Sequence, residues 1–404
     1  MDNTLHMRLN ISYGAVQGLY WAIYCCIVSY ASAYLTGKGF SVPGIGLIMA
    51  VGYLIATVSQ QVISSATDKA KRISVLGVMN ICLVALIITE LFLLFTKEQS
   101  IVVVVLFILS FILINIIQPL SNALNFYLQK TSVSMNYGAC RSMGSLFFSV
   151  ISLIVGQIME SWSINAAPVV AIVVSLIMLL DQIYIWFCIK DFNLKSRNSS
   201  DENMALEDKN DNPMQFIIKY RMFFIFLIGS CGAFFSHVVI NNFFYQIVEN
   251  VGGNTSDMGG IIALQAIVEL PTMMFFTKIN KRISTKMVIS ASMIFFVIKS
   301  FVTMLSNSVG MLYFSVLFQG VAFAAYIPAA VGFVDELMEE KDAVKGQGFL
   351  YSAIAIANFL ACITSGTLIE KQGIFGTILV ATVVAAVGAA VSIFGLVRIK
   401  TKYE

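Results

Sequence analysis

The chain has 404 residues, of which 58% are hydrophobic and only 12% charged, with Lys+Arg 25 against Asp+Glu 22. A soluble domain carries about 25% charged and about 45–50% apolar residues, so this composition, with a mean hydropathy of +0.85, excludes a soluble enzyme, a disordered chain and a nucleic-acid binder. A formal net charge of +3 is too small to point to a polyanionic partner.

A helix needs about 20 apolar residues to cross the ~30 Å hydrocarbon core. Twelve such runs occur in chain order, over 9–35, 44–65, 73–95, 101–127, 137–159, 164–188, 219–247, 257–277, 284–306, 310–334, 346–369 and 374–397. Each is too long for a membrane-barrel strand, and none alternates with period two. Helix is then the structure that satisfies the backbone in lipid, and the fold expected is an all-α membrane protein of twelve transmembrane helices. The first run follows Met1–Arg8 and is long enough to span, so it reads as an uncleaved helix.

Lys and Arg set the orientation, because cytoplasmic loops carry their excess. With the N-terminus in the cytoplasm, 21 of the 25 cations fall on the cytoplasmic side. Three, Lys38, Lys97 and Lys371, fall outside, and Lys299 lies within a span. Both termini are therefore expected to be cytoplasmic, and the membrane expected is a bacterial cytoplasmic membrane. All seven cysteines lie in apolar runs with no C-x-x-C among them, which reads as small packing residues.

The longest polar stretch, Lys190–Pro213, has the composition of a solvated linker. It divides the chain into a six-helix half over 1–189, a cytoplasmic linker over 190–213 and a second six-helix half over 214–404. The halves echo each other. Lys71-Arg72-Ile73-Ser74 follows the second run and Lys281-Arg282-Ile283-Ser284 the eighth, 210 residues later. Gly46-Leu47-Ile48 likewise matches Gly260-Ile261-Ile262. Two such halves related by an axis along the membrane normal form the architecture of the major facilitator superfamily.

Several chemistries lack their residues. No G-x-x-x-x-G-K-[ST] cradle, no H-E-x-x-H and no G-x-S-x-G occurs, and Asp181 is the one aspartate within a span. The sequence thus predicts no enzyme, no metal site and no cofactor. It leaves a gradient-driven transporter or a non-transporting member of the same fold.

Ionisable residues within spans cost about 2.5–3.5 kcal/mol each to insert, so they face a cavity or a partner. They are Glu90, Arg141, Asp181, His237, Glu269 and Lys299. Glu269 lies near mid-depth, two residues before Pro271, which weakens the local hydrogen-bond ladder. A carboxyl there suits proton coupling or anchoring of a substrate hydroxyl, and equally a structural ion pair. Lys299 in span nine is placed to pair with it. Arg141 opens span five and either faces the cavity or snorkels to the cytoplasm. Glu90 and Asp181 sit near span ends, where interfacial solvation is expected. His237 and Asn241, at i and i+4, share a helical face. Gln17, Gln60, Gln118, Asn122, Asn242, Gln319 and Asn358 add amides that glue helices or line a cavity. Trp21, Tyr24 and Phe148 are rings that pack or stack on a sugar.

These residues resemble the lactose-permease-like branch of the major facilitator superfamily, the oligosaccharide:proton symporters and their relatives, over nearly the whole chain. Asp68-Lys69-Ala70-Lys71-Arg72 is similar to the superfamily's G-x-x-x-D-[RK]-x-G-[RK] loop, without its glycines. The resemblance implies that Asp68, Lys69 and Arg72 gate the conformational switch. Arg141 with Gly144 resembles the span-five R-x-x-G motif, whose arginine binds substrate with a span-four carboxylate. Asn122 is the nearest candidate for that missing acid, and Phe148 falls at the family's ring-stacking position. Glu269 before Pro271 resembles the span-eight E-[VI]-P carboxylate, and Lys299 stands where relatives carry an arginine. Leu317-Phe318-Gln319-Gly320 resembles L-L-H-G with Gln319 replacing the histidine, and Tyr326 stands near the place of the span-ten glutamate. The lactose-type proton relay is therefore incomplete, and coupling rests on Glu269, uses sodium or is lost.

The function expected is symport of a small polar solute, a sugar or glycoside, with protons. Glu269, Arg141, Lys299, Asn122, Phe148 and Gln319 would bind substrate, and Glu269 would carry the proton. Transport of an aryl carboxylate or nucleoside, and a sensor on the same fold, remain open alternatives. The partners expected are a small-molecule substrate, a proton and the lipid bilayer, with no nucleic acid.

Overall fold

The computed structural model of the chain describes residues 3–69, 75–96, 99–129, 137–193 and 213–399. The linker expected over 190–213 falls almost wholly outside them. So does Arg72, and so do the side chains of Asp68 and Lys69, so the gating loop cannot be placed.

The first half comprises α1 (Asn3–Tyr24), α2 (Ala31–Gly37), α3 (Val42–Lys69), α4 (Val75–Phe95), α5 (Ile101–Gln129), α6 (Tyr137–Ser161) and α7 (Ala166–Asn193). The second comprises α8 (Pro213–Lys219), α9 (Arg221–Asn242), α10 (Phe244–Asn250), α11 (Thr255–Asn280), α12 (Thr285–Met304), α13 (Val309–Val316), α14 (Ala325–Leu337) and α15 (Glu340–Arg398). Among the described residues eleven helical segments are long and apolar enough to cross a membrane. The last of them runs 57 residues, and at 1.5 Å per residue it would span about 85 Å, far more than one bilayer. It divides at Gly373, whose φ of 71° is not helical, so it supplies two spans and the total is twelve.

Three spans that read as continuous in the sequence are interrupted. The first passes through a π-helical segment, Cys25–Ser29, before α2. The seventh breaks at Phe243 (φ −110°, ψ 26°), between α9 and α10. The tenth contains a second π-helical segment, Gly320–Ala324, between α13 and α14. Pro328 lacks the N–H that would reach the Ala324 carbonyl and its ring crowds that group, which accounts for the widened turn there. By contrast Pro119 and Pro271 sit within unbroken helices.

Large apolar residues such as Ile81, Phe95 and Ile101 are exposed. Such a surface belongs in lipid, where apolar side chains gain nothing by turning inward.

The halves meet along two helix pairs, α3 against the first part of α15 and α6 against α11. The second crossing depends on two glycines. A Cβ on Gly156 would lie 2.5 Å from the Thr255 carbonyl oxygen, and one on Gly259 would lie 2.5 Å from that of Ser152. Cross-half hydrogen bonds gather toward the Lys/Arg-poor face. Gln246 Nε2 donates to Thr36 Oγ1 at 2.9 Å. The Thr255 hydroxyl donates to Glu160 Oε2 at 2.8 Å and its backbone N–H to the same oxygen at 3.2 Å. That carboxylate sits on the positive N-terminal end of α11. The starts of α11 and α12 are also capped by side chains: Asn254 and Asp257 close a reciprocal box at the start of α11, and Ser284 accepts from Met287 N–H at the start of α12.

Candidate functional site

Glu269 lies on α11, fourteen residues past its start at Thr255, and is half-buried. Its Oε1 accepts from Gln319 Nε2 at 2.9 Å. Gln319 in turn accepts, through Oε1, from Lys299 Nζ at 2.6 Å. Lys299 and Gln319 are both 1% exposed. The direct Glu269–Lys299 pairing expected from sequence is therefore corrected to a bridged one. Gln319, at the place of the family's histidine, fills the gap because an amide accepts at one end and donates at the other.

Lys299 also reaches Gln265 Oε1 at 3.5 Å. Gln265 Nε2 donates to Asn241 Oδ1 at 3.5 Å, and Asn241 Nδ2 donates to His237 Nε2 at 2.9 Å. Five polar residues from α9, α11, α12 and the turn after α13 thus extend from Glu269 as one chain. The imidazole of His237 stacks on Phe323, with centroids 4.8 Å apart and planes 12° apart.

The first half contributes rings and one cation. The Arg141 guanidinium lies over the Trp21 ring, 4.5 Å from its centroid. Gly144 makes this possible, since a Cβ there would sit 2.5 Å from Trp21 Cδ1 and 2.9 Å from an Arg141 Nη. The R-x-x-G spacing is thus a packing requirement for a stacked arginine. Phe148 meets Trp21 edge-on at 6.5 Å, and Tyr24 meets it at 5.2 Å. Asn122 is half-buried and accepts through Oδ1 from Gln17 Nε2 at 3.5 Å. Glu269 and Lys299 stand on the second half and Arg141 on the first.

The structure therefore links Glu269 to Lys299 through Gln319 and places Arg141, Trp21 and Phe148 together on the other half. Two residues were missed by the sequence reading. Gln265 carried a signal, lying one turn before Glu269 on the same helical face. Tyr53 carried none; its hydroxyl accepts from Asn242 Nδ2 at 3.4 Å across the seam. Glu90 is also corrected. It is 3% exposed, buried beside Cys26 and Tyr34, and not solvated at an interface. Tyr326, near the place of the family's span-ten glutamate, is fully buried and packs edge-on against Phe234 at 5.1 Å.

A family model described as the MFS_1 like family matches residues 10–380. The chain belongs to that family. It is 22% identical, over 98% of its length and 97% of the relative's, to the uncharacterized transporter YwbF of Bacillus subtilis (strain 168). Its fold matches a crystal structure of the nucleoside transporter NupG with a TM-score of 0.75 at 16% identity, covering 97% of this chain and 100% of that one. It also matches a bacterial homologue of the human lysosomal transporter Spinster, solved inward-facing and unoccupied. There the TM-score is 0.68 at 13% identity, over 98% and 94% of the two chains. The protein is a multi-pass membrane transporter of the major facilitator type and not an enzyme.

Proposed function

We propose that the chain is a proton-coupled symporter of a glycoside, a solute with a hydroxylated sugar ring and a planar substituent, working by alternating access. The observation that carries this reading is the Glu269 carboxylate, half-buried at mid-helix and held by an amide instead of a cation. A carboxylate so placed accepts a substrate hydroxyl or a proton without first breaking an ion pair. Opposite it, the Trp21, Tyr24 and Phe148 rings suit the planar part. A nucleoside is one glycoside of this kind, and a nucleoside transporter is among the solved proteins that share the fold.

Residues 1–189 and 214–404 are the two rocking halves in this reading, with 190–213 as their cytoplasmic linker. Asp68, Lys69 and Arg72 gate the cytoplasmic side. Both termini lie in the cytoplasm of a bacterial cell in this reading, which the cation bias supports for their side of the membrane. The seam of cross-half bonds then closes the outer face, and the site communicates inward.

A second reading, transport of an aryl carboxylate, is favoured by one observation: the candidate site holds two cations, Lys299 and Arg141, and a single carboxylate. Counterflow in proteoliposomes separates the two. Exchange of a labelled nucleoside or glucoside with its unlabelled form is expected. Exchange of aryl carboxylates alone would replace the first reading with the second, and exchange of no class would favour a sensor.

A further inference from the structure

We propose that the adjacent asparagines Asn241 and Asn242, at the break in the seventh span, are positioning residues that couple the state of the Glu269 network to the seam between the halves. This deepens the reading of Glu269 given above and rests on it, but its test uses no transported solute.

The polarity of the network is dictated by one residue. A lysine ammonium has donors and no acceptor. Lys299 Nζ reaches Gln319 Oε1 at 2.6 Å and Gln265 Oε1 at 3.5 Å, so both amides turn their oxygens to it and their NH2 groups away. Gln319 must then donate to Glu269, and Gln265 to Asn241 Oδ1. Asn241, its oxygen engaged, must donate to His237, which offers a ring lone pair. Two arms therefore leave one ammonium. The first ends on the carboxylate and the second on the last turns of α9.

The next residue belongs to a different neighbourhood. Successive helix residues point about 100° apart, and Asn242, 6% exposed, turns from the network to the seam. Its Nδ2 donates to Cys362 Sγ at 3.0 Å on α15 and to Tyr53 OH at 3.4 Å on α3. Tyr53 and Tyr24 pack against the same buried cluster, and Tyr24 in turn packs against Trp21, under the Arg141 guanidinium. Both sides of the candidate site thus converge on the Asn241–Asn242 pair, and the helix ends there. Phe243 departs from helical geometry and α10 begins at Phe244. The break supplies a joint at which the pair can turn while the rest of α9 stays packed.

The mechanism follows from the two unequal contacts of Lys299. When Glu269 is neutralised or taken by a solute hydroxyl, Gln319 is held less firmly and the ammonium shifts toward Gln265. Asn241 moves with Gln265, and Asn242 is drawn from its bonds to Tyr53 and Cys362. The seam loosens as the carboxylate changes state.

Cys362 is a native thiol in this seam and reports on it directly. In the full chain in lipid nanodiscs, its alkylation by N-ethylmaleimide is followed by peptide-resolved mass spectrometry, which separates it from the other cysteines. Glu269→Gln is expected to change the Cys362 rate by about threefold or more, a coupling typical of residues in one network. In an Asn241→Leu background the same change is expected to vanish, while Asn242→Leu raises the rate with or without it. Gln265→Leu cuts the same arm at another residue and stands in if Asn241→Leu does not fold. The proposal is overturned if Glu269→Gln leaves the Cys362 rate unchanged, or shifts it equally in the wild-type and arm-cut proteins. A failed symport assay would leave these rates untouched, so the two readings fall separately.

Discussion

The two cations of the site are held in opposite ways. Arg141 is half-exposed and lies flat on Trp21, in space that Gly144 leaves open. Lys299 is buried and donates to two amides. A guanidinium stacked by its face on a ring differs from an ammonium buried among amide oxygens. On the function proposed here, Arg141 is a group that meets the solute and Lys299 is a group that sets the polarity of the network. Substitutions at the two positions should therefore fail differently.

The largest effect is expected at Lys299. Lys299→Leu removes the donor that satisfies two amide oxygens, a loss of about 2–3 kcal/mol of stability. It should appear as a lower unfolding temperature in detergent as well as lost transport. If Lys299→Leu leaves the unfolding temperature unchanged, the ammonium is not the organiser of the network. Arg141→Lys should do the reverse, keeping the fold while weakening solute binding by about tenfold, because the planar fork and much of the cation–π contact go. Equal losses of stability at the two sites would erase the distinction between them.

Gly144→Ala is expected to be smaller, about 1 kcal/mol. The new methyl collides with the Trp21 edge, and the ring must shift. Arg141 should lose its stacking partner in proportion, so solute affinity and stability should fall together.

The smallest effect is expected far from the site, at Lys219 on the start of the second half. Its Nζ lies 2.8 Å from Asp342 Oδ2 and 3.3 Å from Glu339 Oε1, but its side chain is 45% exposed. Exposed pairs are worth about 0–1 kcal/mol, so Lys219→Ala should cost at most that. The hydrogen bond to Asp342, followed by that with Tyr220, raises the Lys219 pKa above its ordinary value. A raised value contributes stability that is complete below the unfolded-state pKa and is lost as pH rises through the folded one. The difference between wild type and Lys219→Ala should thus stay flat from about pH 6 to 9 and close only in strong alkali. A difference that varies across neutral pH would show another titrating partner.

Much of the architecture was legible because apolar length and cation placement are one-dimensional signals. Twelve runs predict twelve spans, and Gly373 separates the last two as the gap between 369 and 374 suggested. The interruptions were not legible. Cys25–Ser29 and the Asn242–Phe243 break carry no proline or glycine to mark them in the sequence. Within the site, Glu269, Lys299 and Arg141 stand out because charge in a span is rare. Their connections do not stand out, because a bridging amide such as Gln319 or Gln265 looks like any helix-contact amide until its partners are in place. Glu90 reads as interfacial from its nearness to a span end, and burial against α1 and α2 was invisible in the sequence.

In the function proposed, Glu269 is the group whose charge state links proton movement to solute movement. This role is tested most directly by measuring pH-gradient-driven uptake and equilibrium counterflow of the same labelled solute for wild type and Glu269→Gln in proteoliposomes. Glu269→Gln is expected still to exchange solute across the membrane but no longer to accumulate it against a gradient. Wild-type accumulation, with its dependence on the pH gradient intact in Glu269→Gln, would contradict it.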